Sequence, residues 1–504
     1  MGSLDTNPTT FPTDVDSFQP LNADDVRSYL HTSVDFICDY YKSVESLPVL
    51  PAVEPGYLRR LLQPAPPTSS APFNVTMKEL REAVVPGMTH WASPNFFAFF
   101  PSTNSAAGIA GELIASAMNT VGFTWQASPA ATEMEVLALD WLAQLLRLPP
   151  SFMNRTGAAG RGTGGGVILG TTSEAMLVTL VAARDAALRR SGSSGTMAGI
   201  TRLTVYAANQ THSTFFKACH LAGFDPANVR SIPTGEETNY ALDPAKLLEA
   251  MQADIDAGLV PTYVCCTVGT TSSNAVDPVG AVAEAAARFN AWVHVDAAYA
   301  GSACICPEFR HHIDGVERLM TCLDCTCLWV RDTHRLTGSL ETTPEYLKNS
   351  ASDSGAVTDL KDMQVGIGRR FRGLKLWMVM RTYGAAKLQE HIRSDVGMAK
   401  MFEESVRADE RFEVVVPRNF ALVCFRIRPH GGGGAMTEED AEEANRELME
   451  RLNKTGKAYL AHTVVGGKFV LRFAVGSSTQ EERHVRSAWE LIQKTTTEMM
   501  KGEI

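Results

Sequence analysis

Residues 291–301 read AWVHVDAAYAG. Trp292, Val293, His294 and Val295 make an apolar, β-branched run with no turn-former inside, the pattern of a short strand buried on both faces. The run stops at a carboxylate, Asp296, followed by two alanines, a tyrosine and Gly301. A carboxylate at the carboxyl end of a central parallel strand lies where open α/β sheets bind their ligands. The small residues behind it leave room for a flat ligand. Asp296 then has two readings. It is either the partner of a protonated ring nitrogen, keeping a heterocycle electron-withdrawing, or the cap of a following helix.

The flanking chain supplies the rest of an α/β pattern. From Gly164, GGGVILGTTSEA gives a glycine-rich start, a short apolar strand, and a turn into a long helix with periodic apolar residues. The hydroxyls of Thr172 and Ser173 at that helix start suit either an anion site or a plain cap with Glu174 in the first turn. TRLTVYAA leads to Gln210-Thr-His212-Ser, and PTYVCCTVGTTSSNAVDP leads to a helix over 279–289. An imidazole at His212 either lies flat on an aromatic ligand or is structural. Strands alternating with helices predict a mostly parallel sheet with helices on both faces. Beyond Arg372, a long helix leads to a smaller α+β part with strands in FEVVVP, ALVCFRIRP and KFVLRFAV, and helices in MTEEDAEEANRELMERLNKTG and the final segment.

Upstream, residues 1–20 read as a loose polar arm. Asn22-Ala-Asp24 caps an amphipathic helix through Tyr40 and Tyr41, a proline-rich linker runs over 64–72, and a short helix is expected near Thr76–Val85. These pieces are too sparse to fold alone and suit wrapping around a partner subunit. HWASPNFFAFFPSTNS, 90–105, packs one tryptophan and four phenylalanines into a loop-like segment. That composition fits a flat apolar pocket or ordinary core packing.

Composition narrows the function. The chain has 504 residues, 45% of them hydrophobic, enough for a large core and more than one domain. With a net charge of −10 and no basic block, neither nucleic acid nor an anionic membrane is an expected partner. No apolar run approaches a membrane span. The start, MGSLDTNPTT, has no secretory signal. Gly2 and Thr6 fit a loose myristoylation pattern with no second anchoring signal. Ten cysteines without the spacing of a disulfide framework indicate a reducing, cytoplasmic setting. Cys304, Cys306, Cys322, Cys325 and Cys327 read as buried thiols rather than zinc ligands, and no metal is expected.

The stretches THWASPNFFAFFPSTNS, GFTWQASPAATEME, GTTSEA, QTHST, VHVDAAYAGSACICPEFRHHIDG, PEYLKN and GRRFRGLKLW together resemble the plant aromatic L-amino-acid decarboxylases of the pyridoxal-phosphate group, across nearly the whole chain. The resemblance implies the fold-type I, aspartate-aminotransferase-like architecture and a homodimer with shared active sites. It implies an arm at 1–100 packing on the partner, a large cofactor domain at 101–385 and a small α+β domain at 386–504. The cofactor would be pyridoxal 5′-phosphate. Asp296 would pair with its ring nitrogen, His212 would stack on the ring, Thr172 and Ser173 would hold the phosphate, and Thr271 would lie beside it. Trp91, Phe99, Phe100 and Pro101 would line the substrate pocket, with Val121 and Phe123 reaching in from the other subunit. Tyr346, in a loop that closes over the neighbouring site, would give a proton to the α-carbon; tyrosine there goes with decarboxylation and phenylalanine with aldehyde formation. Gly368 matches a small residue that goes with indole substrates. The implied reaction is removal of carbon dioxide from an aromatic L-amino acid, L-tryptophan giving tryptamine. Tyrosine or dopa decarboxylation and aromatic aldehyde synthesis are the alternatives.

One departure stands out. Members of the family carry a Pro-His-Lys-Trp segment after the HHIDG stretch, and its lysine links covalently to the cofactor. Here the chain passes from Glu317-Arg318 straight to Leu319-Met320, and roughly ten residues including that nucleophile are absent. Lys217, Lys348 and Lys375 are poor substitutes by position. An impaired splice product or gene-model product of a decarboxylase gene, or a non-catalytic dimerising paralogue, is therefore expected.

Overall fold

A computed structural model describes residues 19–154, 164–192, 197–315, 320–322, 326–355, 357–429 and 436–501. The Arg318–Leu319 junction, the Gly2/Thr6 pattern, Cys325, the glycine run at 431–434 and residues 1–18 of the arm lie outside them. Residues up to His90 form one compact unit and Trp91 onward another.

In the first unit, Asn22 caps the Ala23–Ser43 helix, its Oδ1 accepting the Asp24 N–H at 2.9 Å. The second helix begins earlier than expected, at Phe73, and after Glu79 widens into a π-helical turn over Leu80–Val84.

The second unit holds a seven-stranded sheet in the order β1-β7-β6-β5-β4-β2-β3. Its strands are β1 (Gly165–Leu169), β2 (Leu203–Ala208), β3 (Val229–Ile232), β4 (Val260–Thr267), β5 (Trp292–Asp296), β6 (Met320–Cys322) and β7 (Thr326–Val330). Neighbours from β3 to β6 pair in parallel, and β7 runs antiparallel to both β6 and β1. β5 lies near the middle and is buried throughout, as its unbroken apolar run predicts. Val293 and Val295 pack into the core on one face, and Trp292 packs into the core on the other. Consequently Asp296 projects from the sheet's carboxyl end.

The two edges of β5 differ. Among the described residues it pairs with β4 at five positions and with β6 at Asp296↔Thr321. Trp292 Nε1, Thr326 Oγ1 and Trp329 Nε1, on the strands flanking β6, are buried without a hydrogen-bond partner. Each such atom costs about 1–3 kcal/mol. Three side-chain polar atoms on the strands beside β6 are thus left unsatisfied.

A second sheet, β10-β11-β9-β8, is antiparallel, with β8 (Phe412–Val414), β9 (Leu422–Ile427), β10 (Ala461–Val465) and β11 (Lys468–Ala474). The Glu438–Lys454 and Glu482–Met500 helices cover one face around Phe402, Phe425, Phe473 and Trp489. The connecting Arg372–Ala408 helix is long, as its periodicity predicts, but Gly384 breaks it with φ 67° and ψ 173°.

On that helix Asp395 is buried, with His391 Nε2 3.6 Å away. Burial pushes the Asp395 carboxyl up to about 7, and burial also lowers His391, so the histidine brings no compensating charge at neutral pH. A carboxyl raised from 3.8 to about 7 on folding is accommodated neutral at low pH; its ionisation costs stability progressively as pH rises through that window. Asp395→Asn is expected to leave the thermal midpoint unchanged near pH 4 and raise it at pH 8, a gain on the order of 1–3 kcal/mol. Midpoints measured across that range check it; equal shifts at both ends would refute the linkage.

Candidate active site

The Thr172–Arg190 helix begins just beyond β1. Thr171, not Ser173, is its cap: the Thr171 side chain accepts the Glu174 N–H at 3.2 Å. That leaves the next two hydroxyls for other work. Thr172 Oγ1 is buried without a partner, and Ser173 Oγ lies 3.2 Å from Thr214 Oγ1. An orphaned hydroxyl beside the free N–H groups of a 19-residue helix is chemistry suited to an anion.

Asp296 is 5% exposed. Its Oδ1 accepts the Ala298 N–H at 3.0 Å, a local turn rather than a helix cap, since the next helical turn begins at Gly301. Burial raises its pKa; the Ala298 N–H and the nearby His212 ring oppose the rise. A carboxylate so placed gains from a cation it can pair with. The His212 ring sits on the loop after β2 and is itself exposed. Its Nδ1 accepts the Thr214 N–H at 3.2 Å and lies 2.8 Å from Thr214 Oγ1. That bond assigns the ring proton of the neutral form to Nε2. Ser173, Thr214 and His212 form one connected chain from the helix start to the imidazole. Thr271 stands half-buried in the turn after β4, and its neighbour Ser272 donates from Oγ to Gln210 Oε1, tying that turn to the His212 loop.

The aromatic stretch divides between the two readings given above. Phe96 and Phe97 are core. Trp91 and Phe99 are exposed and stacked, centroids 5.5 Å apart at 13°. Phe99 has φ 50°, a conformation costly for a bulky side chain, and such strain clusters at binding sites. Phe100, beside Pro101, stacks on Tyr299 at 3.7 Å, three residues beyond Asp296. One aromatic segment therefore joins the Asp296 turn.

The remaining candidates sit apart from these contacts within one chain. Val121 is exposed and Phe123 half-buried. Their segment is tied to the loop beyond Tyr346: Asp359 Oδ1 accepts the Trp125 N–H at 2.8 Å, and Phe123 O accepts the Lys361 N–H at 3.2 Å. Tyr346 is 78% exposed. A Cβ at Gly368 would meet nothing within 4 Å, so the backbone there borders open space.

The turn carrying Gly368 is held from beneath. Gln364 Nε2 donates to Gly368 O at 3.2 Å, and Gln364 Oε1 accepts from Arg369. Arg369 in turn forms a buried ion pair with Glu135, whose Oε1 also accepts the Ile168 N–H of β1 at 2.8 Å. Glu135, Gln364 and Arg369 went unmarked in the sequence, because nothing local links positions 135 and 369; Thr214 was within reach as the last residue of QTHST.

Among the described residues no lysine amine bonds to Asp296, His212, Thr172 or Thr271. Lys348 pairs with Glu345 at 2.6 Å, Lys375 approaches Glu112 at 4.0 Å, and Lys217 is exposed. Lys246, between Lys217 and Lys348 in the chain, pairs with Glu237 at 3.0 Å. The cysteines described are free, and no group of three metal-ligating side chains occurs among the described residues. No helix there is long and apolar enough to cross a membrane.

The profile of the pyridoxal-dependent decarboxylase conserved domain matches residues 55–428. Tryptophan decarboxylase 1 of Oryza sativa subsp. japonica is 83% identical over 515 positions, covering 99% of this chain and all of that protein. That alignment is longer than the chain's 504 residues, so it includes positions this chain lacks. A crystal structure of the Oryza sativa enzyme with pyridoxal phosphate and tryptamine superposes with a TM-score of 0.93 at 83% identity, covering 96% of this chain and all of that one. A crystal structure of Catharanthus roseus tryptophan decarboxylase with L-tryptophan gives 0.89 at 52% identity, with 96% and 100% coverage.

Proposed function

The chain belongs to the pyridoxal-dependent decarboxylase family, with the fold-type I architecture, and from that premise we propose that it acts on an aromatic L-amino acid, L-tryptophan, releasing carbon dioxide and leaving tryptamine. The observation that carries the reading is 83% identity along the whole length to the rice tryptophan decarboxylase. The open space at Gly368 agrees with an indole-sized substrate.

The residues suit pyridoxal 5′-phosphate. Thr172, whose hydroxyl is buried without a partner, and Ser173 would hold the phosphate at the helix start. Asp296 would pair with the ring nitrogen, His212 would cover the ring and Thr271 would flank it. When bound, the cofactor supplies a conjugated cationic ring that disperses the electron pair left at the α-carbon. Asp296, desolvated, keeps that nitrogen protonated far more effectively than an exposed carboxylate would. Trp91, Phe99, Phe100 and Pro101 orient the indole so that the bond to the carboxyl stands out of the ring plane, and they exclude water. Tyr346 then delivers the proton to the α-carbon. Its high exposure within one chain favours service in a second copy's site, together with Val121 and Phe123. We accordingly propose a homodimer in the cytoplasm, with an arm at 1–100, a cofactor domain at 101–385 and a small domain at 386–504. The Gly384 helix break falls beside the second of these boundaries.

The Arg318–Leu319 junction favours a second reading for this chain: with no amine to link the cofactor covalently, it turns over poorly or serves as an inert dimerising subunit. A spectral titration with pyridoxal phosphate tests the site, and borohydride tests the link. Saturable binding that borohydride does not fix to the protein is the expected result; no saturable binding would defeat the cofactor assignment. Tryptamine released by this chain alone would exclude the inert-subunit reading, and hydrogen peroxide would favour aldehyde synthesis.

A further inference from the structure

Residues 364–369 read QVGIGR. The two ends of this turn are buried and its middle is not. Gln364 and Arg369 are each 5% exposed, whereas residues 365–368 are all exposed within one chain. A Cβ at Gly366 or at Gly368 would meet nothing within 4 Å, so packing from outside does not shape the turn. A turn with two unpacked glycines has many backbone conformations of similar energy. The choice among them is made from beneath.

Gln364 Nε2 donates to Gly366 O and, at 3.2 Å, to Gly368 O, and it lies 3.5 Å from Ile367 O. Both N–H groups of the amide are thereby used on the turn. Gln364 Oε1 accepts from Arg369, which fixes the way the amide faces. Reversed, it would set an oxygen against the carbonyls and an NH2 against a guanidinium. Arg369 is held in turn by Glu135 and by Ile168 O, the latter at 3.3 Å. At the other end the Val365 N–H donates to Glu174 Oε1 at 3.3 Å, and Glu174 Oε2 accepts the Gly170 N–H at 3.0 Å. The turn therefore hangs from β1 and from the start of the Thr172–Arg190 helix, the supports that also carry the Thr172 and Ser173 hydroxyls.

We propose that Gln364 is a specificity-determining positioning residue. By gathering the carbonyls of residues 366–368 it holds the backbone at Gly368 back, and so keeps open the space that a two-ring side chain needs and a one-ring side chain does not. The inference rests on the reading of Gly368 as the border of an indole pocket, and adds to it a residue that touches no substrate. Glycine at 368 removes a side chain from that space; Gln364 keeps the main chain from taking its place. A ligand that requires the held conformation binds in proportion to the fraction of molecules that have it. Loosening the turn therefore lowers affinity for the larger ring and leaves the smaller one, and the cofactor, nearly untouched.

The test compares two acids that differ in the ring. Binding of indole-3-propionate and of hydrocinnamate to the full chain is measured with saturating pyridoxal phosphate. Wild-type protein is expected to prefer the indole acid by about 10-fold or more. Gln364→Glu keeps the bond accepted from Arg369 and removes both donors. In that variant the preference should fall by about 10-fold, while affinities for hydrocinnamate and for pyridoxal phosphate change less than about threefold. Gln364→Met, uncharged and of similar volume, should do the same, and covers the case in which a second carboxylate near Glu135 prevents folding. In both variants the backbone amides of residues 365–368 should exchange with solvent at least about tenfold faster, with those of β1 unchanged. A ratio unmoved in the variants, exchange that does not quicken, or equal losses of both acids and the cofactor overturns the proposal. The wild-type ratio tests the indole reading, and its change in the variants tests Gln364. If wild type favours hydrocinnamate and the variants still shift the ratio, the indole reading falls and Gln364 keeps its role. If wild type favours the indole acid and the variants keep that preference whole, the role of Gln364 falls alone.

Discussion

Replacing Asp296 with asparagine is expected to lower affinity for pyridoxal phosphate by about 10²- to 10³-fold while leaving the protein folded. The asparagine keeps the volume and can still accept the Ala298 N–H, which Asp296 now accepts at 3.0 Å. What it loses is the charge. Breaking a buried ion pair by removing one partner costs about 3–5 kcal/mol, and each 1.4 kcal/mol is tenfold in binding. The same substitution should move stability the other way. Burial raises the Asp296 carboxyl, so in the cofactor-free protein its ionisation is a cost present above that raised value and absent below the unfolded one. Cofactor-free Asp296→Asn should thus melt no lower than wild type at pH 8, and the difference should vanish toward pH 4. Opposite signs for binding and stability mark a residue held for a ligand rather than for the fold. Dialysis against the cofactor and melts across pH measure both. Loss of stability together with loss of binding would instead make Asp296 structural.

Much of this arrangement was legible because it is local. The β5 strand, the carboxylate at its end and the hydroxyls after β1 each occupy a few consecutive positions, and hydrophobic periodicity reports such elements directly. The long helix after Arg372 was visible for the same reason, yet its break was not. A lone glycine is tolerated within a helical pattern, and only the backbone reveals that Gly384 has taken a positive φ. The cap was placed one or two residues too late because Thr171, Thr172 and Ser173 are all competent caps, and only geometry selects among them. HWASPNFFAFFPSTNS was ambiguous between pocket and core because it is both, Phe96 facing inward and Phe99 outward across a strained turn. The Glu135–Arg369 pair was out of reach altogether. It joins residues hundreds of positions apart and leaves no pattern in a single sequence.

Inserting a segment with the family's Pro-His-Lys-Trp motif between Arg318 and Leu319 is expected to produce the largest gain of all. Two independent shortages meet at that junction. The first is chemical: the described lysines are committed to Glu112, Glu237 or Glu345, exposed like Lys217, or otherwise not bonded to the Asp296 site. The second is structural: among the described residues β5 meets β6 at one register position against five with β4, and three side-chain atoms beside β6 are buried without partners. Restoring roughly ten residues supplies an amine and lengthens the strand beside β5 in one step. The repaired chain should bind the cofactor in a form that borohydride fixes to protein. It should release tryptamine at least about 10²-fold above the present chain, the scale on which nucleophile and positioning act together. It should also melt several degrees higher, as the ladder and its orphaned neighbours find partners. Placing alanine at the inserted lysine separates the two shortages: the rise in melting temperature should survive while the fixed cofactor and the tryptamine disappear. If instead the lysine-free insert releases as much tryptamine as the complete one, the missing amine is not what limits this chain, and the cause lies in the interrupted sheet alone.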